Sequence, residues 1–428
     1  MISLANSASS SRRWYVLWLL MLVYTFSFLD RQIISILAED IKRDLDLSDS
    51  QLGVLTGLAF AVFYATLGIP IARLADTRSR ISIISICLAL WSAMTMASGF
   101  VVNFTQLAVA RMGVGVGEAG AMPASHAIIA ETFDENSRSS AMAVFQLGVP
   151  LGILLGFLIG GWISEWVGWR WALIGVSVPG LVLALVLRLT VKEPPHKQGV
   201  AKTRSKTLSA IGKLLARSDY RHICAGATLA SMGAYALMAW MPAYLLRSYP
   251  LSTGQVGTAL SLIIGLGSGV GTFAGGWLGD RAALRSSHGP LLVCAAICLA
   301  ATPLFVTALL TDSLWQTLIL LVPAFVVFLA WMGPNWAMVQ RVAEADSRAM
   351  ASAFILFVLN LIGLGLGPYL TGLISDMVSV GQGGQSLKTA MTAISVVFVW
   401  AAVHFWLAAR AHRRANGVQP SSGHVPVA

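Results

Sequence analysis

Long apolar runs constrain the fold of this 428-residue chain more than any other feature. Two of them extend from Ile81 to Val102 and from Trp169 to Leu187, close to the ~20 residues that a helix needs to cross a bilayer. Only 11% of the residues are charged, whereas soluble domains average about 25%. A water-facing globular fold is therefore excluded, and the runs are predicted to be membrane spans.

The order of the runs predicts an all-α membrane protein with twelve transmembrane helices. An even number of spans places both chain ends on one side, and Lys and Arg concentrate in the termini and the even-numbered connections. Cytoplasmic segments carry such an excess, so both termini are expected in the cytoplasm. The predicted spans lie near residues 14–37, 51–72, 81–101, 104–129, 139–164, 169–191, 221–246, 253–278, 289–311, 314–339, 349–375 and 387–410.

The formal net charge of +10 fits attraction of these basic segments to anionic lipid of the inner leaflet. No basic domain exists outside the predicted spans, so a nucleic-acid partner is not expected. The four cysteines all lie within predicted spans, without close-spaced ligand partners: Cys87, Cys224, Cys294 and Cys298. We therefore expect them to pack in the interior, and we expect neither a metal site nor a cofactor.

A polar connection near the centre of the chain separates six spans from six. Within it, apolar residues from Leu208 to Leu215 recur at helical spacing beside Lys206 and Lys213, which predicts a helix on the inner membrane surface. A solvated linker is the alternative. The predicted division is an N-terminal six-helix bundle at 1–191, a cytoplasmic linker at 192–220, a C-terminal six-helix bundle at 221–410 and a cytoplasmic tail at 411–428.

Two segments of the first half recur in the second half. "SRSSAMA" from Ser137 is followed 210 residues later by "SRAMASA" from Ser347. "ARLADTRSR" from Ala72 is followed 204 residues later by "GWLGDRAALR" from Gly276. Repeats at nearly one offset indicate two pseudo-symmetric bundles. Such duplication places a binding site near the membrane midplane between the halves, whose rocking alternates access to it.

Four ionisable residues lie deep inside predicted spans: Asp30, Arg31, Arg111 and Glu118. Burial of a charge there costs at least ~2.5–3.5 kcal/mol. The helical rise puts Asp30 and Arg111 at similar depth, Glu118 follows two turns along the same face as Arg111, and Arg31 is within reach. A Glu that exchanges its Arg contact between conformations changes its proton affinity. The set predicts proton coupling; a permanent ion pair between the first and fourth spans is the alternative.

Charged residues also follow the second and eighth spans at the predicted inner ends. Asp76, Arg78 and Arg80 follow the second span, and Asp280 with Arg281 follows the eighth. A carboxylate there can cap a neighbouring helix and pair with Arg. We predict an inner gate that latches in one state; solvated loop charges are the alternative.

Glycines mark places where helices approach closely. Gly113 and Gly117 lie in the fourth span, and Gly148 and Gly152 in the fifth, all at the small-xxx-small spacing typical of membrane helix contacts. Pro150 favours a bend beside Gly148. Static packing without a bend is the alternative.

Five polar or aromatic residues are candidates for the wall of the central cavity. The aromatic ones are predicted to lie deeper than the tryptophans at the span ends, whereas the two amides are equally compatible with interhelical hydrogen bonding. The five are Tyr64, Gln146, Tyr235, Trp331 and Asn360.

These motifs resemble the major facilitator superfamily from Asp30 to the twelfth span. The "ARLADTRSR" and "GWLGDR" segments are similar to its inner-gate signature, and "RMGVGVGEAG" is similar to its fourth-span signature. Ala72, Thr77 and Ser79 replace residues that are commonly Gly, Arg and Gly in the family. The resemblance therefore implies a weaker latch at the first gate segment.

Within that superfamily, "FLDRQIISIL" and "VGVGEAGAMPASHAIIAETFDENSRSSAMAVFQLGVPLG" resemble the spinster branch, here in a bacterial member. The resemblance implies proton-linked movement of lipid-like solutes. We also expect a monomer in the bacterial inner membrane. Asp30, Arg31 and Glu118 match the cavity charges of that branch. Sphingosine-1-phosphate and lysophospholipids are substrates of its animal relatives.

Other functions remain open from the sequence. The Asp-Arg pair in the first span is also typical of sugar-acid and organic-anion symporters, and the glycine-proline pattern of the fifth span is typical of drug antiporters. Sodium is an alternative ion for Asp30, and a non-transporting sensor is an alternative of another class. An enzyme is not expected, because the sequence has no nucleophile-base set, phosphate-binding loop or metal cluster.

Overall fold

The computed structural model describes residues 2–191, 205–344, 347–378 and 385–417, which are almost entirely helical and contain no strand. The helices of the N-terminal half are α1 (Ile2–Ile36), α2 (Ala38–Leu45), α3 (Asp49–Gly53), α4 (Ala59–Thr77), α5 (Arg80–Ser98), α6 (Phe104–Glu118), α7 (Ala121–Thr132), α8 (Glu135–Gln146), α9 (Gly148–Val167) and α10 (Trp169–Thr190).

The C-terminal half repeats this pattern after one short connecting helix, α11 (Ser205–Ala216). Its helices are α12 (Ser218–Ser248), α13 (Thr253–Leu260), α14 (Gly267–Arg285), α15 (Gly289–Leu310), α16 (Leu314–Val327), α17 (Met332–Val342), α18 (Arg348–Val358), α19 (Gly365–Val378), α20 (Gln385–Ser395) and α21 (Val397–Gly417). Helix α11 lies in the predicted linker, whereas residues 192–204 of that linker and 418–428 of the predicted tail lie outside the described residues.

Eleven helical segments of the described chain are long and apolar enough to cross a membrane. The predicted fourth span is the remaining one, because it is divided into α6 and α7 at Ala119 and Gly120. Glycine is a poor helix former, and each part alone falls short of a membrane thickness. Together they cover the predicted range, and the twelve-helix architecture is confirmed.

Three spans contain a π-helical turn, in which the hydrogen-bond ladder widens by one residue. The turns are Val54–Leu58 in the second span, Ser261–Leu266 in the eighth and Leu359–Leu364 in the eleventh. The first two stand at related positions of the two halves. Each turn lies in a span that meets the opposite half.

Helix α9 packs on α1 through glycines. A Cβ at Gly148 would lie 2.8 Å from the carbonyl oxygen of Met21, and one at Gly152 would lie 2.5 Å from that of Thr25. The fifth span breaks between α8 and α9, beside Gly148 and Pro150. The glycines therefore hold the first span at backbone distance from the fifth.

The fourth span approaches the third in the same way. A Cβ at Gly117 would lie 2.7 Å from the backbone nitrogen of Trp91, and one at Gly113 would lie 2.6 Å from the side chain of Met94. Only the second of these neighbours is flexible. Gly117 thus allows a backbone contact between α6 and α5.

The two halves meet at their outer ends, defined here as the ends on the side of the 37–48 connection. Helix α3 contacts α19, and α9 contacts α13. Asp49 accepts a hydrogen bond from Ser375 of the other half at 2.6 Å, and Trp162 donates to Thr258 at 2.9 Å. The halves are therefore joined on the side of the 37–48 connection, as alternating access requires in one of its states.

Replacement of Gly152 by Ala is expected to destabilise the protein, because the new Cβ would meet the Thr25 carbonyl at 2.5 Å and the Phe28 side chain at 2.6 Å. Overpacking costs about 1–3 kcal/mol. Gly269→Ala is the control, since its Cβ meets nothing within 4 Å. Thermal unfolding in detergent should show a midpoint at least about 3 °C lower for Gly152→Ala. Equal midpoints in the two variants would contradict close α1–α9 packing.

Candidate functional site

A cluster of four charged side chains lies between α1, α5 and α6. Asp30 and Arg31 are consecutive on α1, and Arg111 and Glu118 stand two turns apart on α6. Asp30, Arg111 and Glu118 are each at most 4% exposed, and the Arg31 side chain is 10% exposed. The cluster is formally neutral, so each charge finds its compensation within the protein.

Glu118 pairs with Arg31 across the helices. Its Oε2 atom accepts hydrogen bonds from Ser27 Oγ at 2.6 Å and from Arg31 Nε at 2.9 Å, and the terminal nitrogen of Arg31 lies 2.8 Å away. The second carboxylate oxygen, Oε1, is buried without a hydrogen-bond partner among the described residues. This oxygen therefore keeps its capacity to accept a proton.

Asp30 forms a looser pair with Arg111. One carboxylate oxygen accepts a hydrogen bond from Thr95 Oγ1 at 2.6 Å, and the other lies 3.8 Å from an Arg111 nitrogen. Arg111 Nε donates to the carbonyl oxygen of Leu55 at 3.4 Å. Because the Asp30–Arg111 distance exceeds an ordinary hydrogen bond, this pair is the less constrained of the two.

Aromatic rings surround the Arg31 guanidinium. Its central carbon lies 4.6 Å from the ring centroid of Tyr64, 4.8 Å from that of Phe60 and 5.1 Å from that of Phe28. Such cation–π contacts contribute about 0.5–2 kcal/mol each. They offset the desolvation of Arg31 and leave it beside an apolar wall.

Two cavities adjoin the cluster. The first lies within the N-terminal half and reaches Glu118; it is lined by Val23, Tyr24, Ser27, Tyr64, Glu118, Ala121, Met122, Ser125 and Phe145. The second lies between the halves and reaches both arginines; it is lined by Phe28, Arg31, Gln32, Ser35, Thr56, Phe60, Arg111, Tyr235, Met238, Ala239, Leu364 and Pro368. The Arg31–Glu118 pair thus stands between two spaces, one of which is built from both halves.

The structure brings some predicted cavity residues to these spaces and not others. Tyr64 lines the first cavity and Tyr235 the second. Trp331 is instead buried in the C-terminal half, where its Nε1 donates to the Phe328 carbonyl at 3.0 Å. Asn360 donates to its own helix, and Gln146 is exposed. Neither lines the two cavities.

The described contacts of the predicted gate residues lie within single halves. Arg80 donates to Glu131 at 2.5 Å within the N-terminal half, and Arg281 stacks over the ring of its own neighbour Trp277. Arg78 and Asp280 are exposed. The side chain of Asp76 lies outside the described part of the structure.

Two hydroxyl residues of the site were missed at the sequence level. Ser27 bonds Glu118 and Thr95 bonds Asp30. Ser27 lies one turn before Arg31 on α1, a spacing that places both on one helix face. That spacing could have identified Ser27, whereas Thr95 has no sequence signal of this kind.

The model of the Major Facilitator Superfamily matches residues 20–368. The chain belongs to this superfamily. It is therefore a multi-pass membrane transporter and not an enzyme. The match covers every residue of the charged cluster and both cavities.

The relatives include an efflux pump and several spinster proteins. The chain is 33% identical over 411 residues to an MFS-type efflux pump of Mycolicibacterium smegmatis, with 96% of each chain covered. It is 28% identical to a spinster homolog 1 of Xenopus tropicalis, with 85% of this chain and 73% of the relative covered. A sphingosine-1-phosphate transporter of the same organism is 27% identical, with 84% and 73% covered.

Among solved structures, the chain is similar to a bacterial homolog of the human lysosomal transporter spinster in an inward-facing, unoccupied conformation. The TM-score is 0.83 at 29% identity, and 94% of this chain and 98% of the other are covered. The spinster resemblance inferred from the first and fourth spans is confirmed.

Removal of the Arg31 charge is expected to leave Glu118 buried without a counter-ion, which costs about 3–5 kcal/mol. Arg31→Gln should therefore lower the thermal unfolding midpoint in detergent, and the double variant Arg31→Gln/Glu118→Gln should recover most of that loss. A double variant no more stable than Arg31→Gln would contradict direct pairing of the two charges.

Proposed function

We propose that this transporter couples proton movement to the movement of an amphiphilic, lipid-like solute across the bacterial inner membrane by alternating access, with both termini in the cytoplasm. The single observation that carries the proposal is the Arg31–Glu118 pair. It is buried between two cavities, and one Glu118 oxygen has no hydrogen-bond partner in the described structure.

Glu118 is the proposed proton site. While it is ionised, its carboxylate holds Arg31 through the two contacts at 2.8 and 2.9 Å. A proton on the open oxygen removes the negative charge, and the attraction to Arg31 falls with it. Arg31 is then free to engage an anionic group in the cavity between the halves.

The composition of the second cavity supports an amphiphilic solute. Arg31 and Arg111 supply positive charge on one side, while Phe28, Phe60 and Leu364 supply apolar surface. An anionic headgroup fits the first set, and an acyl or sphingoid chain fits the second. The similarity to a sphingosine-1-phosphate transporter supports the same class of solute.

The Asp30–Arg111 pair provides a second proposed step. At 3.8 Å the pair lacks a direct hydrogen bond, and Arg111 lines the same cavity as Arg31. An arriving anion can therefore compete with Asp30 for Arg111 without first breaking a direct hydrogen bond between them. Rocking of the halves would then carry solute and proton through one cycle.

A drug/proton antiporter is the second candidate. It is supported by the MFS-type efflux pump, the relative with 33% identity and 96% coverage. The aromatic rings around Arg31 would suit planar apolar compounds. Both candidates use Glu118 in the same role and differ in the solute and in the direction of movement relative to protons.

Glu118→Gln is expected to abolish proton-driven transport, because Gln cannot take up and release the coupling proton. In proteoliposomes, uptake of a fluorescent lysophosphatidylglycerol driven by an imposed pH gradient should fall at least about tenfold, within the usual range of coupling factors. Glu135→Gln, at an exposed position of the same half, is the control and should transport as the unchanged protein does.

Independent proton and sodium gradients separate the remaining possibilities. We expect the unchanged protein to respond to the proton gradient alone. Undiminished proton-driven uptake by Glu118→Gln would refute the coupling role of Glu118, and a response to sodium alone would refute proton coupling. Transport of an apolar cationic dye with no transport of the lysolipid would favour the antiporter.

A further inference from the structure

The outer ends of the second and eighth spans carry a repeat that the inner-gate motifs do not explain. "LSDSQLG" begins at Leu47, and "LSTGQVG" begins 204 residues later at Leu251. In each segment the serine side chain caps the helix: Ser48 Oγ accepts from the Gln51 nitrogen at 3.1 Å, and Ser252 Oγ from the Gln255 nitrogen at 3.3 Å. The two helix N-termini are therefore built alike.

Each N-terminus also binds a carboxylate from the opposite half. Asp376 of the eleventh span accepts hydrogen bonds from the backbone nitrogens of Asp49 at 3.0 Å and Ser50 at 2.7 Å. Glu165 of the fifth span accepts from the Gly254 nitrogen at 2.9 Å and from Ser252 Oγ at 2.6 Å. A carboxylate at a helix N-terminus is stabilised by both hydrogen bonds and the helix dipole.

Close backbone contacts lie beneath each carboxylate. A Cβ at Gly53 would lie 2.6 Å from the Pro368 carbonyl, and one at Gly257 would lie 2.3 Å from the Phe157 carbonyl. At these positions the spans of the two halves touch through their main chains. The carboxylates thus stand at the outer edge of two related glycine contacts.

An additional ion network joins the halves at the first contact. Arg247 of the C-terminal half bonds Asp49 at 2.8 Å and 2.7 Å and Glu39 at 2.7 Å. Lys42 also contacts Asp49. Glu39 and Asp49 are at most 5% exposed, so these charges depend on their partners. The first contact is therefore the more strongly held.

We propose that these two cross-half carboxylate caps are paired outer latches that stabilise the inward-facing state. The first outer latch is Asp376 on the Asp49 end of the second span, and the second outer latch is Glu165 on the Gly254 end of the eighth span. Opening of the outer side separates each carboxylate from its helix. The proposal rests on the alternating access and the orientation of the proposed function, but its test needs neither solute nor coupling ion.

The test measures the balance between inward- and outward-facing molecules without any solute. Spin labels at Val102→Cys and Gln385→Cys report the outer separation by double electron–electron resonance, and labels at Ser139→Cys and Ser287→Cys report the inner separation. These positions are exposed, whereas all four native cysteines are buried. The introduced cysteines are therefore labelled selectively.

Asp376→Ala and Glu165→Ala should each raise the ratio of outer-open to outer-closed molecules on the order of fivefold, the usual effect of deleting a helix cap. The double variant should multiply the two effects, because the two latches are on different helices and share no residue. The inner distance should shorten as the outer distance lengthens. Asp312→Ala is the control: its outer carboxylate pairs with Lys388 of the same half and should change neither distance.

Unchanged outer distances in both alanine variants would overturn the proposal, and so would a loss of thermal stability without any shift in the distances. Asp376→Asn and Glu165→Gln retain one acceptor oxygen, so they provide the same test if the alanine variants do not fold. They should shift the same ratio in the same direction by a smaller factor; no shift in these folded variants would likewise overturn it.

Discussion

Four ionisable side chains lie at membrane depth within the N-terminal half, and most of the surrounding structure follows from how they are neutralised. Two arginines face two carboxylates, each carboxylate takes one serine or threonine hydroxyl, and aromatic rings cover Arg31. This arrangement requires α1 to lie at a fixed position beside α6 and α5. The glycine contacts that bring α9 onto α1, and α6 onto α5, supply that position.

The two ends of the molecule differ in how their charged side chains are neutralised. At the outer ends, carboxylates bind across the halves: the buried Asp49 binds arginine, and the exposed Glu165 binds a helix N-terminus. Toward the inner ends, Arg80 is bonded within its own half. In the part of the chain that the structure describes, the ion pairs between the halves are those of Arg247 with Glu39 and Asp49, at the outer ends. The cavity between the two halves begins where these outer contacts end. A solute must be bound at such a position if access is to alternate.

The sequence predicts how deep in the membrane a residue lies better than it predicts which way the side chain points. Span number, the duplication and the charged set could all be predicted, because length, repeats and burial cost are properties of the chain itself. Trp331 is an example of an orientation that the sequence does not predict. Its depth was inferred, but its ring points into the C-terminal half. The contacts of the gate residues depend on the conformational state. The carboxylates that bind the Leu47 and Leu251 repeats, Asp376 and Glu165, are identified only by the tertiary structure.

The π-helical turn at Val54–Leu58 has a consequence for Arg111. A widened turn leaves a main-chain carbonyl without its usual donor, and Leu55 within this turn offers its oxygen to Arg111. A carbonyl oxygen freed by the irregular turn of one helix thus accepts a hydrogen bond from an arginine on another helix. Deleting a single residue from the turn would restore a regular ladder, withdraw that oxygen and rotate the outer part of the span by about 100°.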